Sequence, residues 1–435
     1  MRGASAGLLT SRAVAAGLPL SFLAHGSIGH AQEATKPTGL LLITGNAGDP
    51  LNANCPGTYP KGGDDAYLAE CGHATVQELG DQVFGTMAGE QITAAGFETP
   101  RSMRLGSFET CAAQPWALLP QDLLDRSCFF HHQTGSSIHG VLNNTLTLGG
   151  ALRNAGRNGT EWLPSYVGQS LGPVLGTVLE TPIPFTLGGV QAKGVRVQRT
   201  SPEQLKSLFS GGDPVEAERL SRLRADALDR IYAEVKTSGT HAQRTYLDSI
   251  ARSRRETLDM RERVGSALDD VNGDSTRERI RAAVSLLRVR ATPVVTVGIY
   301  FGGDNHHDYN LFEEVTGNLS GIQEIQFVWE TLKEQGMEND ITVAYINVFG
   351  RPLKRRPGQG RGHNPNHHVT LMFGPNVTPG VVGRPSREDV NRASIDGVDF
   401  SDTHTSMAKT LSAALGIPSE IYEERIGGGR VLRPT

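Results

Sequence analysis

Five short apolar runs, each abutting a cluster of polar residues, constrain this chain more than anything else in it. Gly39–Ile43 stops at Thr44-Gly45-Asn46-Ala47-Gly48, and Ser127–His131 runs on into His132, Thr134, Ser136, Ser137 and His139. Thr292–Tyr300 leads to Gly302–Asp308, Ile341–Ile346 leads to Asn347 and Arg351, and Val369–Phe373 is preceded by His363, His367 and His368. Such runs are too short for buried helices, and their β-branched content suits strands covered on both faces. Helical stretches separate them, among them Leu311–Gln335, closed by Gly336, and Thr403–Leu415. The alternation predicts an α/β fold, a mostly parallel β-sheet sandwiched by helices, with ligands gathered at the carboxyl ends of the strands.

Two segments depart from this rhythm. Residues 202–288 read as helical, with Asp213 as cap, Pro214 at the first position and Leu220, Leu223, Leu228 and Ile231 at helical spacing. Their charged faces are accounted for by solvated helices lying over a core. Residues 52–121 are rich in Gly, Pro and small polar residues and read as an excursion from the sheet.

At the N-terminus, Arg2 and Arg12, the apolar run Ala13–Leu23 and Gly29-His30-Ala31 read as a signal peptide, residues 1–31, cut after Ala31. The expected location is therefore periplasmic or extracellular, with residues 32–435 as one domain. No later stretch reaches the roughly 20 apolar residues of a membrane span. The four cysteines, Cys55, Cys71, Cys111 and Cys128, contain no CxxC pair, so export favours two disulfides, 55 with 71 and 111 with 128, stapling the excursion. A formal charge of -4 offers no global field for nucleic acid.

The chemical signal lies in the histidines, nine of thirteen falling at four places: 131, 132 and 139; 306 and 307; 363, 367 and 368; and 404. Imidazoles and carboxylates are the usual ligands of zinc and related metals, and Asp304, Asp308, Asp399 and Asp402 are available to complete a shell. Taken singly, each histidine is explained by satisfying a buried backbone group at a strand end. Arg351, Lys354, Arg355, Arg356 and Arg361 share a glycine-rich loop suited to a phosphate or sulfate, or simply to solvent. Neither a GxSxG elbow nor a GxxxxGKS loop occurs, so serine-hydrolase and nucleoside-triphosphatase readings lack their anchors.

Three motifs carry a resemblance: Gly303-Asp304-Asn305-His306-His307, Asn347-Val348-Phe349-Gly350-Arg351-Pro352, and Gly360-Arg361-Gly362-His363-Asn364-Pro365. In order and spacing they are similar to the WDTHG-like, GEFGRTP and GRDHWP motifs of the exported domain-of-unknown-function 1501 family, a sulfatase-like branch of the alkaline phosphatase superfamily. His131, His132, His139 and Leu146-Thr147-Leu148-Gly149 resemble its upstream pattern, and Leu51–Cys55 its LDTFD-like loop only weakly. Where the family pattern has carboxylates, this chain has Asn52, Asn347 and Gly362, and in place of twin arginines before the apolar run it has Ser11-Arg12.

The resemblance implies an alkaline phosphatase-like fold and metal-dependent hydrolysis of a phosphate or sulfate ester, small or glycan-linked, with a divalent metal, zinc first. It implies Asp304, His306 or His307, and His404 as one metal group and His363 in another, with His132 and His139 as further ligands. Thr134, Ser136 and Ser137 are its nucleophile candidates, and Arg351 its ester-positioning residue. Since carboxylates neutralise the paired metals of such hydrolases, their loss implies a degraded site. The alternative is a non-catalytic exported binding or structural protein that keeps the superfamily fold. A third reading, metal capture by outward-facing histidines, requires that the clusters not converge.

Overall fold

The structure is a computed structural model that describes residues 35–45, 47–60, 66–68, 79–154, 159–186, 190–192, 195–210, 214–248, 263–356 and 358–434. The signal segment, Cys71 and the capping Asp213 lie outside the described residues. Residues 36–435 form one compact unit.

The central strand, β1 (Gly39–Gly45), is buried along its whole length. β2 (Ser127–His132), β3 (Ile183–Pro184), β4 (Val294–Gly298), β5 (Ile341–Asn347), β6 (His368–Phe373) and β7 (Gly380–Val382) complete a sheet in the order β7-β2-β6-β5-β1-β4-β3. β1 pairs in parallel with β4 and β5, β4 with β3, and β2 with β7. β6 alone is reversed, antiparallel to both β5 and β2, with His368 opposite His132. The fold is thus mixed α/β with a mostly parallel sheet. Because β6 is reversed, its N-terminal end lies at the edge where its neighbours finish, which is how His367 and His368 reach the ends of the other strands.

Side chains alternate across β1 and fill two cores. Leu41 and Ile43 join Val295, Val343 and Leu371 beneath helices α3 (Thr276–Arg288) and α4 (Phe312–Glu334), through Ile280, Val284, Ile322 and Ile325. Leu40 and Leu42 join Phe130, Ile346 and Met372 against α1 (Leu163–Leu175) and α5 (Thr403–Ala414), through Tyr166, Leu171, Met407 and Leu411. Within the helical segment, α3 buries its apolar stripe, whereas α2 (Pro214–Ser238) leaves Leu223, Leu228 and Ile231 41–58% exposed. The expectation of helices lying over a core therefore holds for α3 and not for these residues of α2.

The expected disulfides are not found among the described residues. Cys55, Cys111 and Cys128 are free thiols. Cys111 lies in the hairpin Arg101–Leu105/Phe108–Ala112, paired with Ser102, while Cys128 sits on β2 and belongs to the other core. The excursion is held instead by ordinary packing: Trp116 stacks on Phe301 at 6.0 Å, edge-on to Phe129 at 5.3 Å, and its indole N–H donates to Asn54 at 2.8 Å.

Candidate metal centre

Four side chains converge above the carboxyl edge of the sheet: His139, Asp304, His306 and His363 each place one ligand atom within 4.8 Å of the others. Three loops deliver them: the one after β2 carries His139, the one after β4 carries Asp304 and His306, and the one between β5 and β6 carries His363. The loop after β4 is seated by glycine, since a Cβ at Gly317 on α4 would stand 2.3 Å from the Cα of Gly302. Asp49, just past β1, then fixes that loop. Its carboxylate accepts from the amides of Phe301 (3.2 Å) and Gly303 (3.0 Å) and from the Tyr345 hydroxyl (2.5 Å). Burial nonetheless holds the Asp49 carboxyl above its ordinary range.

Arg351 is buried and clamps three loops together. Its Nε donates to Gly48 O (2.6 Å), Nη2 to Ala47 O (2.8 Å), Gly303 O (3.1 Å) and Asp304 Oδ1 (3.2 Å), and Nη1 to the carbonyls of Arg361 and Gly362 (both 3.3 Å). The fork expected to hold an ester anion is occupied by main-chain carbonyls and a carboxylate. Its own main chain is gripped by Asn52, which accepts from Arg351 N and donates to Arg351 O, both at 2.8 Å. Asn347 likewise bonds Gly48 N and the Tyr345 hydroxyl, so both asparagines hold loops in place.

Desolvation works to raise Asp304, but the Arg351 guanidinium and then His139 and His306 outweigh it, and the carboxyl lies below its ordinary value. His306 and His363 are held low, chiefly by burial, with Arg351 and neighbouring imidazoles adding to it. At neutral pH Asp304 is therefore a carboxylate, and His306 and His363 are neutral imidazoles. His363 Nδ1 donates to Ser137 O at 2.5 Å, which leaves its Nε2 lone pair facing His306 Nε2 at 2.7 Å. His139 Nε2 is buried without a hydrogen-bond partner and lies 3.5 Å from Asp304 Oδ2. Three imidazoles and a carboxylate are a zinc-type donor set, and a ligating histidine is commonly oriented by a bond from its other nitrogen to a carbonyl, as His363 is.

The remaining expected residues are placed elsewhere. His307 is exposed and does not join the group. His132 and His404 stack at 5.1 Å in a buried layer with His131, His367 and His368. Burial lowers His131 and His132 to about 4 and holds the other three well below the ordinary imidazole value. That layer contains a directional chain: Asn52 donates to His367 Nδ1 (3.3 Å), His367 Nε2 lies 2.9 Å from His131 Nδ1, and His131 Nε2 meets Pro56 O at 2.9 Å. The carbonyl only accepts, so His131 carries its proton on Nε2 and receives one at Nδ1. Asp308 caps α4, accepting from the amides of Glu313 (3.1 Å) and Glu314 (2.8 Å). Thr134 Oγ1 donates to Ser136 O and Pro365 O, Ser136 Oγ is buried without a partner, and exposed Ser137 touches the group through its carbonyl. Sequence reasoning missed Asp49 and Phe349. The one signal was a carboxylate directly after the first strand's glycine loop; the other is a ring 4.4 Å from His363 and 5.1 Å from His139.

No curated protein matches the chain. Two solved structures, described as "Crystal structure of Ps i-CgsB in complex with k-i-k-neocarrahexaose" and "Crystal structure of Ps i-CgsB", align over 90% of this chain and 75% of theirs. Their identities are 11% and 10% and their TM-scores 0.29 and 0.28, too low a likeness to bear on fold or chemistry. The family model described as "Protein of unknown function (DUF1501)" matches residues 190–420, more than half of the chain, a stretch that carries Asp304, His306, Arg351 and His363, and the chain belongs to that family.

Proposed function

We propose that the chain is an exported, metal-dependent hydrolase of a phosphate or sulfate ester, working at His139, Asp304, His306 and His363. The observation that carries the reading is the convergence of these four ligand atoms within 4.8 Å, with His139 Nε2 buried and unpartnered among them. A divalent metal, zinc by the donor set, would supply Lewis acidity toward an ester oxygen and lower the pKa of a coordinated water. The chain's own part is orientation: Ser137 O fixes the tautomer of His363, Arg351 holds Asp304 ionised, and Phe349 dries one side of the imidazoles. Export belongs to the same proposal and rests on the N-terminal apolar run alone, since the cysteines no longer argue for it.

A second reading has its own support. Four protein ligands close a tetrahedral shell, as in structural sites, whereas catalytic zinc keeps one position open. Asp304 decides between the readings, because its Oδ1 already faces Arg351 at 3.2 Å. Elemental analysis of the purified protein beside Asp304→Ala tests both. Bound zinc that turns over aryl phosphates or sulfates supports the hydrolase; bound zinc with no turnover favours the structural site; and a wild type that takes up no zinc sinks both.

A further inference from the structure

The basic loop of residues 351–361 is not uniformly available to a ligand. Arg351 is spent on carbonyls and Asp304, and Arg361 on Glu314 (2.7 Å) and the carbonyls of Pro352 and Leu353. Arg356 differs: it is exposed, and its guanidinium makes no hydrogen bond or ion pair among the described residues. Its main chain is pinned, the Arg356 amide donating to Gly360 O at 3.2 Å, and Gly360 N donating to His306 O at 2.8 Å, so the loop is tied to a member of the metal group. The guanidinium lies against Gly362, the residue preceding another member. A Cβ at Gly362 would come within 3.2 Å of Nη2, 3.5 Å of Cζ and 3.6 Å of Nε. Any side chain at 362 would compete for that space, and a carboxylate there would neutralise the charge.

We infer that Arg356, laid over bare Gly362 beside His306 and His363, is the receiver for the substrate's anionic group, a tetrahedral oxyanion borne on a phosphate or sulfate ester. The inference deepens the proposed hydrolase and rests on that reading for what the group is attached to. Chemistry supports it: a planar fork pairs two oxyanion oxygens at once. Next to a bound dication it would leave the mouth of the site positive, Asp304 being already matched by Arg351. The charge of Arg356 also reaches His306, where it adds to burial and Arg351 in disfavouring the imidazolium.

The test is calorimetric titration with phenylphosphonate and benzenesulfonate, neither of which is a cleavable ester, on zinc-loaded and chelator-treated protein. Wild type, Arg356→Gln and Arg356→Lys are compared, with zinc content and thermal midpoint measured alongside. Expected are at least tenfold weaker anion binding in Arg356→Gln, an intermediate loss in Arg356→Lys, and unchanged zinc content and midpoint. The tighter of the two anions assigns the ester class. Wild type binding neither anion, unchanged affinity in Arg356→Gln, or zinc lost together with the anion would overturn the inference. Arginine-dependent binding in a protein that takes up no zinc would leave the inference standing and remove the metal reading.

Discussion

His306 and His363 meet through their Nε2 atoms at 2.7 Å, although 57 residues separate them in the chain. With His363 Nδ1 committed to Ser137 O, the shared proton belongs to His306, and a metal entering between them must displace it. Replacing His363 by Ala should therefore weaken zinc binding by more than the roughly 10–100-fold typical of losing an outer-shell partner. Competition with a chromophoric chelator measures it, and an unaltered affinity would refute the assignment.

Arg351 is buried and makes six hydrogen bonds to three loops. Arg351→Met leaves five carbonyls and Asp304 without their donor, and breaking a buried charged network from one side costs about 3–5 kcal/mol. Urea denaturation should show that loss. The carboxyl of Asp304 should titrate higher in the variant, since the largest influence lowering it is gone. Stability near that of wild type would contradict the clamp.

The histidine layer makes stability fall in acid. His131 and His132 have folded values of about 4 against 6.5 when unfolded, so between those limits the unfolded chain binds more protons and stability rises with pH. Their contribution is complete above pH 6.5 and lost progressively toward pH 4, on the order of 3 kcal/mol each. Burial raises Asp49, Asp308 and Glu314, which act in the opposite sense. Denaturation midpoints across this window should drop on acidification, and less steeply in His132→Gln. A flat profile would show that the layer does not control acid stability.

Gly317 seats the loop that carries Asp304. In Gly317→Ala the new Cβ would press to within 2.3 Å of the Gly302 Cα, a main-chain contact that cannot swing aside. Overpacking of this kind costs about 1–3 kcal/mol. Zinc affinity should fall together with the thermal midpoint because Asp304 shifts with its loop, and affinity kept at the wild-type level would separate the two.

The strands were legible because burial on both faces demands unbroken apolar, β-branched runs. Gly39–Gly45, Ser127–His132 and Ile341–Asn347 end within a residue or two of where the sequence places them. Asp304, His306, His363 and His139 could be named as candidates from residue type and position beside those runs. Adjacent residues could not be told apart: His306 enters the group and His307 faces solvent, because a single peptide step turns a side chain elsewhere. The other distinctions depend on contacts between segments far apart in the chain. The reversal of β6 is a pairing of residues 341–347, 368–373 and 127–132 and leaves no mark within any one of them. Asp308 went to a helix cap, His132 and His404 to a buried layer, and Cys111 and Cys128 to separate environments for the same reason. Local sequence determined which segments are strands and helices and which side chains could do chemistry. Tertiary packing alone decided which of those side chains share a space, and that Arg351 became a clamp while the Arg356 guanidinium stayed unpaired among the described residues.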